Sequence, residues 1–225
     1  MAGIYSVTTI KMSIKLKKIA WSALNRLRLD SHVQLSLKSA LKEKGWFTSF
    51  HTKQSVDAAN QPIPWYTYNF ISFLTPRMEN RFKVFEFGCG NSTRWYANRV
   101  SEILAVENDQ IWYEKIKDTL PMNAHVVFQP LGEDYIQAAV QSGKKFDIIV
   151  VDGRKRVKCT KASIEALTDE GVLILDNSER EWYQDAKRFM EANDFRRLDF
   201  WGMAPIVAIE TCTSVFYRDN NCLGI

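Results

Sequence analysis

No apolar run in this sequence approaches the ~20 residues that cross a bilayer, and its first residues lack the uninterrupted apolar core and cleavage site of a secretory signal. These absences predict a cytoplasmic protein. Only four cysteines occur, Cys89, Cys159, Cys212 and Cys222, with neither CxxC nor Cys/His ligand spacing, so reduced thiols are expected in place of a disulfide framework or a zinc site. The three histidines, His32, His51 and His125, form no triad and no ligand set. A strong excess of one charge is also missing. The net charge is +4, but six cations against Asp30 in the first 30 residues more than account for it, and the rest of the chain sums to −1. A near-neutral body has no electrostatic footprint for DNA or RNA. No internal repeat or low-complexity stretch is present.

What is present begins with a basic amphipathic segment. Leu16, Ile19, Ala20, Ala23, Leu24 and Leu27 recur at helical spacing, with the cations largely on other faces. Such a helix suits peripheral contact with an anionic membrane surface, or packing against the domain or a second subunit. Residues 31 to 44 read as a second helix stopped by Gly45, and 46 to 64 as irregular. The expected organisation is an N-terminal helical extension over 1–60 and one domain over 61–225. Trp65, Tyr66 and Tyr68 follow Pro62 and Pro64; they either roof a ligand or belong to the core, and helical spacing resumes until Pro76.

From residue 82, strands and helices alternate. Strands are predicted at 83–87, 102–106, 124–128, 146–151 and 171–175, with helices at 92–99, 109–119, 133–142, 159–167 and 179–192. Continuous apolar strands such as 146–151 suit a parallel sheet buried on both faces. Two last strands, near 195–200 and 211–218, have no helix between them and should pair antiparallel. The fold class is therefore α/β: a Rossmann-like, doubly wound, mostly parallel seven-stranded sheet with a C-terminal antiparallel strand pair.

The chemistry is concentrated after the first strand, in Glu86-Phe-Gly88-Cys89-Gly90-Asn-Ser92-Thr93. Gly88 and Gly90 let backbone N–H groups approach a ligand where a Cβ would stand in the way. A dinucleotide fingerprint would need a third glycine at position 93, which is threonine. A carboxylate at Glu86 repels a diphosphate and attracts an ammonium or sulfonium. One strand later stands Glu107, 21 positions after Glu86, where an acid can accept both hydroxyls of a ribose.

These residues resemble the first motif of the class I S-adenosylmethionine-dependent methyltransferases: an acid, any residue, Gly, any residue, Gly. The resemblance implies S-adenosylmethionine bound over Glu86, Gly88, Cys89, Gly90, Ser92 and Thr93, with its ribose on Glu107. Glu133 and Asp134 lie where that family often meets the adenine amino group; as the first residues of a helix they also complement its dipole.

Asp152, Asp176 and Asn177 follow the fourth and fifth strands and should face the same crevice. Two carboxylates and an amide suit a hard ion such as Mg²⁺; equally, they can orient a substrate without metal, or cap helices and turns, with Ser178 and Glu181 forming a capping box. The arrangement is similar to the metal-dependent catechol and caffeoyl-CoA O-methyltransferases. That similarity implies Asp152, Asp176 and Asn177 as metal ligands and Lys155, three residues beyond Asp152, as the base. The cations Arg154, Lys155, Arg156, Lys158 and Lys161 suit an anionic acceptor, or a solvated loop. The expected function is methylation of a small-molecule or glycan hydroxyl. The alternatives are a nitrogen acceptor or a non-catalytic S-adenosylmethionine-binding module; the oligomeric state is left open.

Overall fold

The computed structural model describes residues 14–225, with side chains from residue 16. The chain falls into two compact units, up to Glu43 and from Lys44 to Ile225. The first contains α1 (Ile14–Arg26), α2 (Asp30–Leu37) and α3 (Ala40–Glu43). Leu16 and Ile19 of α1 and Leu27 just after it are 56, 67 and 66% exposed, and the cations Lys17, Lys18 and Arg26 are exposed too. The single helix expected over 31–44 is two, because Lys38 turns extended and the Ser39 hydroxyl accepts the Lys42 N–H, capping a new helix start. No helix among the described residues is long and apolar enough to cross a membrane.

The larger unit opens with α4 (Trp46–Thr52), where irregular chain was expected. Tertiary contacts supply what its sequence pattern does not. Ser49 donates to the Val56 carbonyl and accepts the Val56 N–H, and Trp46 Nε1 donates to the Val207 carbonyl. Gly45, at φ +83, has room for no side chain: a Cβ there would sit 2.3 Å from the Asp57 carbonyl carbon. Residues 44–60 thus fold with the domain. Next comes α5 (Tyr68–Leu74), capped by Thr67, whose hydroxyl accepts the Phe70 N–H and donates to the Phe200 carbonyl.

The remainder alternates as the sequence predicts: β1 (Lys83–Phe87), α6 (Asn91–Ala97), β2 (Glu102–Glu107), α7 (Gln110–Ile116), β3 (Ala124–Phe128), α8 (Glu133–Gln141), β4 (Phe146–Val151), α9 (Arg156–Ser163), β5 (Leu167–Asp176), α10 (Gln184–Ala192), β6 (Arg196–Met203) and β7 (Glu210–Tyr217). The strand order is β3-β2-β1-β4-β5-β7-β6; the first five strands run parallel and β7 pairs antiparallel with both neighbours. Successive residues of each strand serve opposite faces. Val84, Ile148, Val150 and Ile174 pack with α5 and α6, whereas Phe85, Ile149, Val151 and Leu173 pack with α8, α9 and α10. Ile148 to Val151 are wholly buried, and each such side chain contributes about 1.5–3 kcal/mol. The chain order reverses between β1 and β4, and a crevice opens there at the strands' carboxyl ends.

Candidate cofactor and acceptor cleft

Beyond β1 and β4 the two chain ends are held almost in contact. Gly88 N–H donates to the Val106 carbonyl at 2.8 Å and Asp152 N–H to the Phe87 carbonyl at 3.3 Å, so the ladder continues into both loops. Gly153 lies against Gly88: a Cβ on it would stand 3.1 Å from Gly88 N, 3.0 Å from the Phe87 carbonyl carbon and 2.2 Å from the Tyr135 hydroxyl. Over this floor lies a cleft of about 280 Å³ whose lining includes Glu86, Gly88, Cys89, Ser92, Glu107 and Asp152.

Glu86 is 1% exposed, and its Oε2 accepts the Thr93 hydroxyl at 2.6 Å. The same hydroxyl accepts the Gly90 N–H at 2.9 Å, so Thr93, where a dinucleotide fold wants glycine, ties the loop to the acid. Burial pushes the Glu86 carboxyl up to about 8, against the pull of Ser92 and Thr93, with Asp152 and Glu107 adding to the rise. Glu107 Oε1 accepts the N–H groups of Asn108 and Asp109, both at 2.7 Å, which orients the carboxylate. Among the described residues its Oε2 meets only the Cys89 thiol, at 3.6 Å, a weak donor that a hydroxyl can displace.

The sign of the pH dependence follows. Between about 4.5 and about 8, the folded Glu86 keeps a proton that the unfolded chain has released, so rising pH favours unfolding across that window and has no further effect through this group beyond it. Asp176, also pushed up to about 8 by burial with Asp152 adding, acts in the same sense. The Glu86→Gln variant should therefore lose less melting temperature than wild type between about pH 5 and 8; parallel pH curves for the two proteins would refute the burial argument.

The structure does bring Asp152, Asp176 and Asn177 together, but around the guanidinium of Arg156. Arg156 Nη2 donates to Asp152 Oδ1 at 2.8 Å and to the Asp152 carbonyl at 2.9 Å; Nη1 donates to Asn177 Oδ1 at 3.3 Å and to the Asp176 carbonyl, and Nε to the Gly153 carbonyl at 3.0 Å. Asp176 Oδ1 is itself occupied by the Thr213 hydroxyl at 2.6 Å. Asn177 adopts φ +50, a left-handed turn that asparagine tolerates. Of the side-chain oxygens expected to hold Mg²⁺, Asp152 Oδ1 and Asn177 Oδ1 thus accept from a resident cation and Asp176 Oδ1 from Thr213, and with a guanidinium bound to two of the three residues' side chains the set does not fit the ion as arranged. No cluster of three or more His, Cys, Asp or Glu among the described residues is placed to hold a metal.

Lys155, expected as the base, differs from expectation. It takes a left-handed turn at φ +52 just before α9, is exposed, and does not line the cleft. The next residue, Arg156, points in. Asp152 does line the cleft; burial raises its pKa while Arg156 and Arg180 pull it back, and its Oδ2 has no hydrogen-bond partner among the described residues. Glu133 and Asp134, at the start of α8, accept from Gln137 and Gln141 and lie outside the cleft lining. The Ser178–Glu181 capping box does not form. Ser178 is buried against β7, where its hydroxyl meets Ser214 at 2.6 Å and the Cys212 carbonyl at 3.3 Å, and α10 starts only at Gln184.

Of the aromatic segment, Tyr66 and Tyr68 are core residues and Trp65 is exposed. Tyr66 and Tyr96 hydroxyls lie 3.3 Å apart, and burial, with Glu86 and Asp152 nearby, raises both pKa values. The sequence reading missed Arg156 as an inward residue, Gly153 as an obligate glycine, and Tyr135, whose hydroxyl accepts the Arg154 N–H at 3.2 Å. The partial signal for Arg156 was its type, which it shares with Arg154: arginine carries a five-donor fork that can close several strand-end carbonyls at once, and the sequence does not say which of the two turns inward.

No protein-family profile matches the sequence, and no curated protein matches it. Solved structures do. An O-methyltransferase from Bacillus cereus in complex with SAH superposes with a TM-score of 0.56 at 17% identity, over 85% of this chain and 97% of that one. A precorrin-6y C5,15-methyltransferase from Geobacter metallireducens gives 0.54 at 16% identity, over 65% and 86%. Spermidine synthase from Thermotoga maritima gives 0.51 at 18% identity; the match covers 65% of this chain and 56% of that one. At such identities the likeness concerns architecture: the chain has a class I methyltransferase-like fold.

Proposed function

We propose that the protein is an S-adenosylmethionine-dependent methyltransferase acting on a hydroxyl of a small molecule or glycan. The observation that carries this reading is the pairing of Glu86 and Glu107 in one cleft, over a floor where Gly153 is packed too closely for a side chain and Gly88 takes a left-handed turn at φ +93. Glu86 is held protonated by burial in the cleft, and a ligand that brings an ammonium or sulfonium beside it favours its ionised form, whereas a diphosphate would not. Glu107, held by two backbone amides, presents an oxygen to a ribose hydroxyl. Glu133 and Asp134, outside the cleft lining, remain the candidates for the adenine amino group.

S-adenosylmethionine, when bound, supplies a methyl carbon already activated by its sulfonium. The protein's work is then alignment, for which positioning can supply about 7–11 kcal/mol, and acceptance of the acceptor's proton. Asp152 takes that proton role in place of Lys155. Its free oxygen is open to the cleft, and burial raises its basicity while Arg156 fixes its other oxygen. Arg154, exposed on the cleft rim, meets an anionic group on the acceptor.

Calorimetry tests the reading directly. S-adenosylmethionine and its demethylated product should each bind the full-length protein with one-to-one stoichiometry, and NAD⁺ should give no heat. Binding of NAD⁺ with none of the methyl donor would sink it.

A further inference from the structure

The mouth of the cleft beyond β4 and β5 carries three side-chain oxygen donors from residues 152, 176 and 177, the set from which a divalent-ion seat is built. In this protein two of the three, Asp152 Oδ1 and Asn177 Oδ1, are already taken by Arg156, which also takes the Asp176 backbone carbonyl. Arg156 is 8% exposed, and its five N–H donors match five acceptors one for one: three backbone carbonyls, Asp152 Oδ1 and Asn177 Oδ1. The Tyr183 ring covers the guanidinium at 5.5 Å. No donor is left over for a ligand, so Arg156 is not the residue that grips an anionic acceptor.

We propose that Arg156 is a built-in cation standing in the seat of a divalent ion: it joins the ends of β4 and β5, holds Asp152 in place and makes ligand binding in this cleft independent of metal. Its role is positioning, and the neighbouring Arg154 is left as the anion contact. The geometry explains why lysine would not serve. An ammonium has three donors on a single nitrogen, whereas the acceptors here are spread around a planar fork. It also explains the split between residues 155 and 156. The left-handed turn at Lys155 presents its ammonium outward, and the first residue of α9 then reaches back beneath both strand ends. The proposal rests on the methyl-transfer reading only for what occupies the rest of the cleft.

The test reads cation binding and not turnover. Mn²⁺ is titrated into the full chain and free Mn²⁺ is followed by electron paramagnetic resonance, for wild type, Asp152→Asn, Arg156→Ala and Arg156→Ala with Asp152→Asn. Wild type should leave Mn²⁺ free. Arg156→Ala, by emptying the seat, should bind it at least about tenfold more tightly, and the added Asp152→Asn should abolish the gain. A wild-type Mn²⁺ site that disappears in Asp152→Asn overturns the proposal, and so does a folded Arg156→Ala that gains no Mn²⁺ affinity. Should Arg156→Ala fail to fold by circular dichroism, Arg156→Gln carries the same comparison with the same two overturning outcomes. Failure of the methyl-donor reading would appear only in the calorimetry with S-adenosylmethionine, so the two can fall separately.

Discussion

Gly153→Ala should destabilise the protein by about 1–3 kcal/mol, the usual cost of forcing a methyl group into packed space, and lower its melting temperature by about 2–4 °C for each kcal/mol at this chain length. The added Cβ meets the Tyr135 hydroxyl at 2.2 Å and backbone atoms of Phe87 and Gly88 at 3.0 and 3.1 Å. Neither neighbour can yield cheaply. Tyr135 is wholly buried and its hydroxyl accepts the Arg154 N–H, while the backbone of Gly88 is tied to β2 through the Val106 carbonyl. Relief must then come from parting the loops after β1 and β4, which is where the cleft floor lies. Tyr135→Phe removes the nearest clashing atom, so the double variant should lose less stability than the two single losses summed. Thermal melts of the four proteins measure this coupling. A Gly153→Ala protein that melts with wild type would show that the two loops are not packed so closely.

Glu107→Ala should weaken S-adenosylmethionine about tenfold to a hundredfold, the range for removing a charged hydrogen-bond acceptor worth 1.5–3 kcal/mol. The alanine variant also frees the N–H groups of Asn108 and Asp109, which Oε1 now accepts, so part of its effect would be on the loop. Glu107→Gln separates the two contributions. A glutamine keeps one carbonyl oxygen for those amides but replaces the other oxygen and the charge, so its melting temperature should stay near wild type while its affinity falls. Calorimetry at fixed pH reads both constants. A Gln variant that binds the donor as tightly as wild type would remove Glu107 from the ribose.

Much of the fold was legible because parallel strands buried on two faces must be apolar throughout. Phe146-Asp-Ile-Ile-Val-Val151 and Val172-Leu-Ile-Leu175 are strands in the structure close to where the sequence puts them, and the helix-free interval between the last two strands is the antiparallel β6–β7 pair. The α4 helix was illegible for the opposite reason. Its seven residues carry a weak pattern, and it is held by Ser49 bonding to Val56 in the turn beyond it and by Trp46 bonding to Val207, far off in the chain. Ser178 shows the same competition at one residue. Locally it reads as a helix cap, but β7 offers it the Ser214 hydroxyl and the Cys212 carbonyl inside the core, where an unpaired hydroxyl would be costly.

The sequence by itself determined the strand alternation, the position of the glycine loop, and the presence of acids at 86, 107, 152 and 176 at strand ends. Periodicity and strand-end chemistry are local properties, and these features need nothing more. Only the tertiary structure decided which of two adjacent cations turns inward. That choice depends on five acceptors contributed by two strand ends and their loops, far apart in the chain, converging on one planar fork, and on a left-handed turn that carries Lys155 outward so that Arg156 can reach them.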